Sequence, residues 1–74
     1  MIVCFYECQG PQAEAILVRL AEALTSSDSA PDTQFLKSAD QENLYLLILY
    51  GSHPPHVAVP ASVRTWTFVD RRID

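Results

Sequence analysis

Residues 44–50 of this chain are apolar throughout, in the order Leu-Tyr-Leu-Leu-Ile-Leu-Tyr. Successive side chains of a β-strand point to opposite sides of the sheet. One face of this segment is therefore lined by Leu44, Leu46, Ile48 and Tyr50, and the other by Tyr45, Leu47 and Leu49. The pattern predicts a strand that needs cover on both sides.

Residues 2–8 are a second strand candidate of the same kind, rich in β-branched and aromatic types. Val3 and Phe5 point to one side. The side chains that point to the other side are Ile2, Cys4, Tyr6 and Cys8. This strand is also largely apolar on both faces.

After Gly10 the apolar positions change to the helical period. Pro11 is well tolerated in a first helical turn, where its missing N–H is not needed. The apolar stripe then comprises Ala13, Ile16, Leu17, Leu20, Ala21 and Leu24. This spacing predicts an amphipathic helix over residues 11–25, with a stripe wide enough to pack on one face of a sheet.

The other segments predict two further strands. Residues 25–32 are polar and rich in breakers, which is typical of a loop. Residues 33–38 are a short strand with Phe35 on one face and Leu36 on the other, and the polar residues 40–43 join it to 44–50 as an antiparallel hairpin. Residues 63–69 form the last strand, with Trp66 and Phe68 on one face.

The predicted order is β-α-β-β-β in one domain over residues 1–74. It indicates an α+β fold with a single antiparallel four-stranded sheet and one amphipathic helix on one face. Three prolines between Ser52 and Ala61 disfavour a long helix there, while a short helical turn stays open.

One helix can shield only one face of such a sheet. The strands at 2–8 and 44–50 would leave an exposed apolar patch of several hundred Å², which soluble monomers rarely carry. Burying about 1,000 Å² of it would contribute on the order of 25 kcal/mol before association costs. A two-fold homodimer packed through the second face is the expected solution. The alternative is a monomer whose proline-rich loop and tail fold across that face.

Composition narrows the classes of partner. The hydrophobic core of a 74-residue chain contributes only a few kcal/mol of stability, roughly 3–5. The formal net charge of −4 gives no basic patch for nucleic acid. The sequence contains no apolar run of the ~18–20 residues that cross a bilayer, and the first residues lack a basic leader. We therefore expect a soluble cytoplasmic protein without nucleic-acid or membrane partners.

The two cysteines, Cys4 and Cys8, lie on the same face of the first strand. At ~3.3 Å per residue they are about 13 Å apart, too far for a disulfide within one strand. Free, buried thiols in a reducing compartment are expected.

Candidate catalytic chemistry is sparse. His53 and His56 have a spacing seen among metal ligands, but a zinc site needs three or four ligands and the cysteines are held apart. No phosphate-binding glycine loop or dinucleotide fingerprint is present. No metal, cofactor or catalytic residue is therefore assigned.

The aromatic residues offer a candidate pocket or interface. Aromatic side chains at strand positions usually belong to a core or an interface, and a pocket with tyrosine hydroxyls and a histidine at its mouth is the sharper alternative. The residues in this candidate set are Tyr6, Tyr45, Tyr50, His53, Trp66 and Phe68.

The opening strand at 2–8, the helix at 11–25 and the hairpin at 33–50 resemble the dimeric α+β barrel group. This ferredoxin-like set includes the antibiotic-biosynthesis-monooxygenase-like proteins. The resemblance implies a homodimer whose sheets pack into a barrel, sometimes with a small-molecule pocket between helix and sheet. Members include cofactor-independent oxygenases, haem-degrading enzymes and proteins without known activity. The chain departs from the pattern at 52–61, where those domains usually place a second helix.

We expect a small homodimeric assembly or ligand-binding module without catalytic activity, whose partner is itself and whose ligand, if any, is small and apolar. The alternative is a cofactor-independent, oxygenase-like enzyme acting on a small apolar or aromatic substrate. An apolar cavity on which Tyr or His groups converge would favour the enzyme.

Overall fold

The predicted order of elements is confirmed. The computed structural model describes residues 1–25, 32–52, 55 and 57–71. Within these residues the elements are β1 (Ile2–Gln9), α1 (Ala13–Leu24), β2 (Asp32–Lys37), β3 (Leu44–Gly51) and β4 (Arg64–Val69). The fold is α+β.

The four strands form one open antiparallel sheet in the order β2-β3-β1-β4. The two doubly apolar strands, β1 and β3, are the central ones. The hairpin of β2 and β3 is present as predicted, and Asn43 takes a positive φ of 57° where its turn enters β3. This strand order is consistent with a ferredoxin-like fold.

The helix α1 is shorter at both ends than the predicted range of 11–25. Gly10 has a φ of +132°, and its carbonyl accepts a hydrogen bond from the N–H of Ala13 at 3.1 Å. Pro11 and Gln12 therefore form a turn that leads into the helix. At the other end, the N–H and the hydroxyl of Thr25 both donate to the carbonyl of Ala21, at 3.0 and 2.7 Å, and close the last turn.

The core is one layer between α1 and a single face of the sheet. Four residues of the predicted helical stripe, Ala13, Leu17, Leu20 and Leu24, are buried in it. Its sheet-side residues are Cys4, Tyr6, Cys8, Tyr45, Leu47 and Leu49. The apolar stripe of the helix therefore performs the packing role expected of it.

The described part of the β3–β4 connection packs on the same side of the sheet as α1. Val63 belongs to the buried cluster, and Val57 and Val59 pack against it. Residues 52, 55 and 57–63 are described and are not helical; the remaining positions of the predicted Ser52–Ala61 connection lie outside the described residues. The alternative prediction was that the proline-rich connection covers the face of the sheet opposite α1. The described part of the connection does not lie on that face.

Candidate functional site: the open face of the sheet

The side of the sheet that faces away from α1 is called here the open face. Strand register places its residues in three rows across β2, β3, β1 and β4. The first row is Asp32, Tyr50, Val3 and Phe68. The second row is Gln34, Ile48, Phe5 and Trp66. The third row is Leu36, Leu46, Glu7 and Arg64.

An apolar stripe crosses these rows from one corner of the open face to the opposite corner. We call it the apolar diagonal: Phe68, Val3, Trp66, Phe5, Ile48, Leu46 and Leu36. Its ends project most, since Phe68 is 55% exposed and Leu36 is 40% exposed. Trp66, at 39%, is also exposed. Large apolar side chains are thus in contact with water at both ends of the diagonal, while Ile48 at its centre is 7% exposed. Exposed apolar residues grouped in this way mark an interaction surface.

Aromatic contacts hold one end of the diagonal in a defined shape. The rings of Phe5 and Phe68 meet edge to face, with centroids 5.3 Å apart and planes at 84°. Edge-to-face geometry is a preferred arrangement of aromatic rings. The guanidinium of Arg64 lies over the ring of Trp66, 5.3 Å from its centroid, and this cation–π contact favours the observed position of the ring.

The two corners away from the diagonal are polar. In one corner, Arg64 Nη1 lies 3.6 Å from Glu7 Oε1, an ion pair at the junction of β1 and β4. In the opposite corner, the hydroxyl of Tyr50 donates to Oε1 of Gln34 at 3.3 Å, beside Asp32 on the edge strand β2. The open face therefore carries the Arg64–Glu7 ion pair in one corner and the carboxylate of Asp32 in the other.

A shallow groove of about 450 Å³ runs along the Phe68 end of the open face. Backbone pairing closes its end, because the N–H of Asp70 donates to the carbonyl of Met1 at 2.9 Å. Its lining residues are Met1, Val3, Phe5, Phe68, Val69, Asp70 and Arg71. The lining is mostly apolar, with one carboxylate and one guanidinium.

Two of the candidate aromatic residues lie on the other side of the sheet, under α1. Burial, with Cys4 alongside, raises the pKa of Tyr6 to about 12. A hydrogen bond to the carboxylate of Glu14 on α1 raises the pKa of Tyr45. The ring of Tyr45 also stacks on Phe35 at 5.7 Å. Both tyrosines are thus held in their neutral form, as core groups.

The structure therefore divides the candidate set. Tyr50, Trp66 and Phe68 come together on the open face, while Tyr6 and Tyr45 lie on the helix side. His53 lies outside the described residues, as does His56. The groove at the Phe68 end is lined by neither Tyr6 nor Tyr45.

Several residues of the open face were absent from the candidate set. The alternation within β1 and β3 already indicated that Val3 and Phe5 share one face of β1 and that Ile48 lies on one face of β3. What was missing was the register that aligns these faces with one another and with Trp66. The charged pair of Glu7 and Arg64 also depends on the β1–β4 register, between residues 57 positions apart, and no local pattern indicated it.

Both cysteines are free and buried, as expected. The hydroxyl of Thr67 on β4 donates to the sulfur of Cys4 at 3.8 Å. Among the described residues no three His, Cys, Asp or Glu side chains cluster as metal ligands would. Within the same residues, α1 is too short to cross a membrane.

Comparisons with protein-family models, with curated proteins and with solved structures found no match to this chain.

Proposed function

We propose that this chain is a small homodimeric assembly module, in which a second copy covers the open face of the sheet. The observation that supports this most directly is the exposed apolar diagonal. The described part of the β3–β4 connection packs on the helix side, so it does not cover this surface. A second copy presents the same apolar diagonal, so the two open faces can cover each other. Two-fold dimers are the commonest closed assembly.

The size of the open face suits this occupant. Four strands at about 4.8 Å and about seven residues of ~3.3 Å each give roughly 450 Å² in projection. Two copies then bury about 900 Å² in projection, and the relief of the side chains brings this to the roughly 1,000 Å² at which specific interfaces begin. At ~25 cal/mol per Å² this contributes up to about 25 kcal/mol, above the ~4–15 kcal/mol that association costs.

The proposal includes the arrangement implied by the resemblance to the dimeric α+β barrels, with two sheets packed face to face. The groove at the Phe68 end would lie at the edge of that interface, where it could hold a small apolar ligand. Two free, buried thiols fit a reducing, cytoplasmic compartment. A cofactor is not part of the proposal.

The alternative is an oxygenase-like enzyme acting on a small apolar or aromatic substrate. It would need an enclosed cavity with polar groups that converge on the substrate. The groove at the Phe68 end is open, and its described lining includes neither Tyr nor His. We therefore place the assembly function first.

Sedimentation velocity across a micromolar concentration series tests the proposal. We expect the wild-type chain, 8.3 kDa as a monomer, to sediment as a dimer. Phe68→Glu should give a folded monomer, because Phe68 is exposed in the single chain and the substitution opens no cavity. Val18→Glu is the matched control, since Val18 is an exposed apolar residue on α1, away from the open face, and this variant should remain dimeric.

A wild-type chain that stays monomeric throughout the series would overturn the proposal. So would a Phe68→Glu variant that dimerises as tightly as the wild type. Circular dichroism of each variant confirms that the comparison is between folded chains.

A further inference from the structure

The direction of the apolar diagonal restricts how two copies can pack. The diagonal spans three strand spacings of about 4.8 Å, or about 14 Å, from β4 to β2. Over the same distance it moves two rows, which is four residues or about 13 Å along the strands. It therefore lies at about 45° to the strand direction.

A two-fold dimer packed through one face has its axis in the plane of the interface. With such an axis, each residue of one copy faces the partner's residue that lies at the mirror position across the axis line. An axis along the strands would place Asp32 on the partner's Phe68. An axis across the strands would place Asp32 on the partner's Leu36. Both arrangements bury a carboxylate against an apolar side chain, which is costly.

Only the two diagonal axes superimpose the whole apolar diagonal on that of the partner. An axis perpendicular to the apolar diagonal would set Asp32 against the partner's Asp32, and like charges in an interface repel. An axis along the apolar diagonal sets Asp32 against the partner's Arg64, twice by symmetry. Both diagonal axes cross the strands of the two sheets at about 90°, one of the two packing angles that sheets prefer, so the charges decide between them.

From this geometry we infer that the second copy docks with its two-fold axis along the apolar diagonal, so that Asp32 of each copy pairs with the partner's Arg64. This rests on the proposed function, since it specifies how the partner copy binds. Arg64 is prepared for the contact, because Glu7 and the ring of Trp66 hold its guanidinium on the open face. A guanidinium has five N–H donors, enough to bind Glu7 and the partner's Asp32 together. The axis residues, Phe68 and Leu36, meet their own counterparts.

Charge reversal tests the pairing. Asp32→Arg and Arg64→Asp should each raise the dimer dissociation constant by about tenfold, and the double variant should return to within about threefold of the wild type. Asp32→Arg is the stricter test of the two. It lowers the net negative charge of a chain whose charge is −4, so general repulsion between copies falls, and a weaker dimer would then have to come from the loss of the specific pair. With the perpendicular axis, Asp32→Arg would not raise the dissociation constant, because it replaces one like-charge contact by another and lowers the net charge of each copy; that result would overturn the inference. A double variant no tighter than the singles would overturn it as well.

Cross-linking gives a second readout that does not depend on the strength of the charge pair. A bismaleimide with a span of about 10 Å matches the spacing of two packed sheets. Phe68→Cys places a thiol on the axis and should cross-link to itself, whereas Asp32→Cys places a thiol off the axis and should not. The wild type is the background control, since both native cysteines are buried. Self-cross-linking of Asp32→Cys without that of Phe68→Cys would contradict the inferred axis.

The two proposals fail in different ways. A wild-type monomer at all concentrations removes the dimer and the axis together. A wild-type dimer that is lost in Phe68→Glu, but is indifferent to Asp32→Arg and Arg64→Asp, retains the proposed function and removes only the inferred axis.

Discussion

Leu47 and Ile48 are consecutive residues whose side chains lie on opposite faces of β3. Leu47 is 1% exposed, lies opposite Tyr6 and belongs to the core under α1. Ile48 lies opposite Phe5 at the centre of the open face and is 7% exposed in the single chain. One strand therefore supplies both the core of the domain and the middle of its proposed interface.

The first prediction separates these two roles with one kind of substitution. Leu47→Asp should prevent folding, because it buries an unpaired carboxylate in the core at a cost of about 4–5 kcal/mol or more. Ile48→Asp should give a less stable but folded monomer, because Ile48 lies outside the core cluster under α1, on the side of the sheet that the helix does not cover. Circular dichroism and sedimentation distinguish the outcomes. If neither change affects folding or assembly, β3 has been assigned wrongly.

A second prediction concerns the helix side of the core. Leu17 is one of the two largest side chains that are completely buried. Leu17→Ala should lower the free energy of unfolding by about 2.5–5 kcal/mol, through lost burial and the cavity that remains. Val18→Ala, at an exposed neighbouring position, should change it by less than about 0.5 kcal/mol. Urea unfolding at a fixed protein concentration measures both, and equal effects would show that α1 does not pack through the stripe described.

A third prediction concerns the entry to α1. At φ +132°, Gly10 has a backbone conformation that L side chains rarely adopt, although no atom lies within 4 Å of where a Cβ would be. Gly10→Ala should therefore destabilise the fold by about 1–3 kcal/mol through backbone strain alone. Asn43→Gly is the control at the other positive-φ position, where glycine is at least as well suited as asparagine, and should be close to neutral. Thermal unfolding compares them, and a neutral Gly10→Ala would refute the strain.

A fourth prediction follows from the pKa of Tyr6. Its folded-state pKa of about 12 lies above the ordinary value of 10.0, so the fold favours the neutral phenol. Its contribution to stability is complete below about pH 10 and is lost as the pH rises towards about 12, by at most about 2–3 kcal/mol. Urea unfolding between about pH 9 and pH 11.5 should show this decline in the wild type and a smaller one in Tyr6→Phe. Tyr45, whose pKa is also raised, accounts for part of the decline that remains. Identical pH profiles for the two chains would contradict the shift.

Local sequence patterns were enough to predict the helix and the strands, and to predict which residues share a face of each strand. The alternation in residues 44–50 correctly placed Leu47 and Ile48 on different faces, and the helical period in residues 13–24 identified the side chains that α1 buries. The short polar turn at 40–43 indicated the β2–β3 hairpin, because strands so close in the chain pair most easily with each other. These features depend on spacing along a few residues, and neighbouring residues alone specify them.

The alignment of faces between strands needed the folded chain. Tyr6 and Tyr45 share a face with each other and not with Tyr50, Trp66 or Phe68, because β1 pairs with β3 on one side and with β4 on the other in particular registers. A shift of one residue in either pairing would exchange the faces of a whole strand. Long-range backbone hydrogen bonds, together with the burial of Cys4, Tyr6 and Leu47 under α1, select one register. That selection brings Asp32, Arg64 and the apolar diagonal onto one surface, since residues far apart in the chain become neighbours only when the sheet assembles.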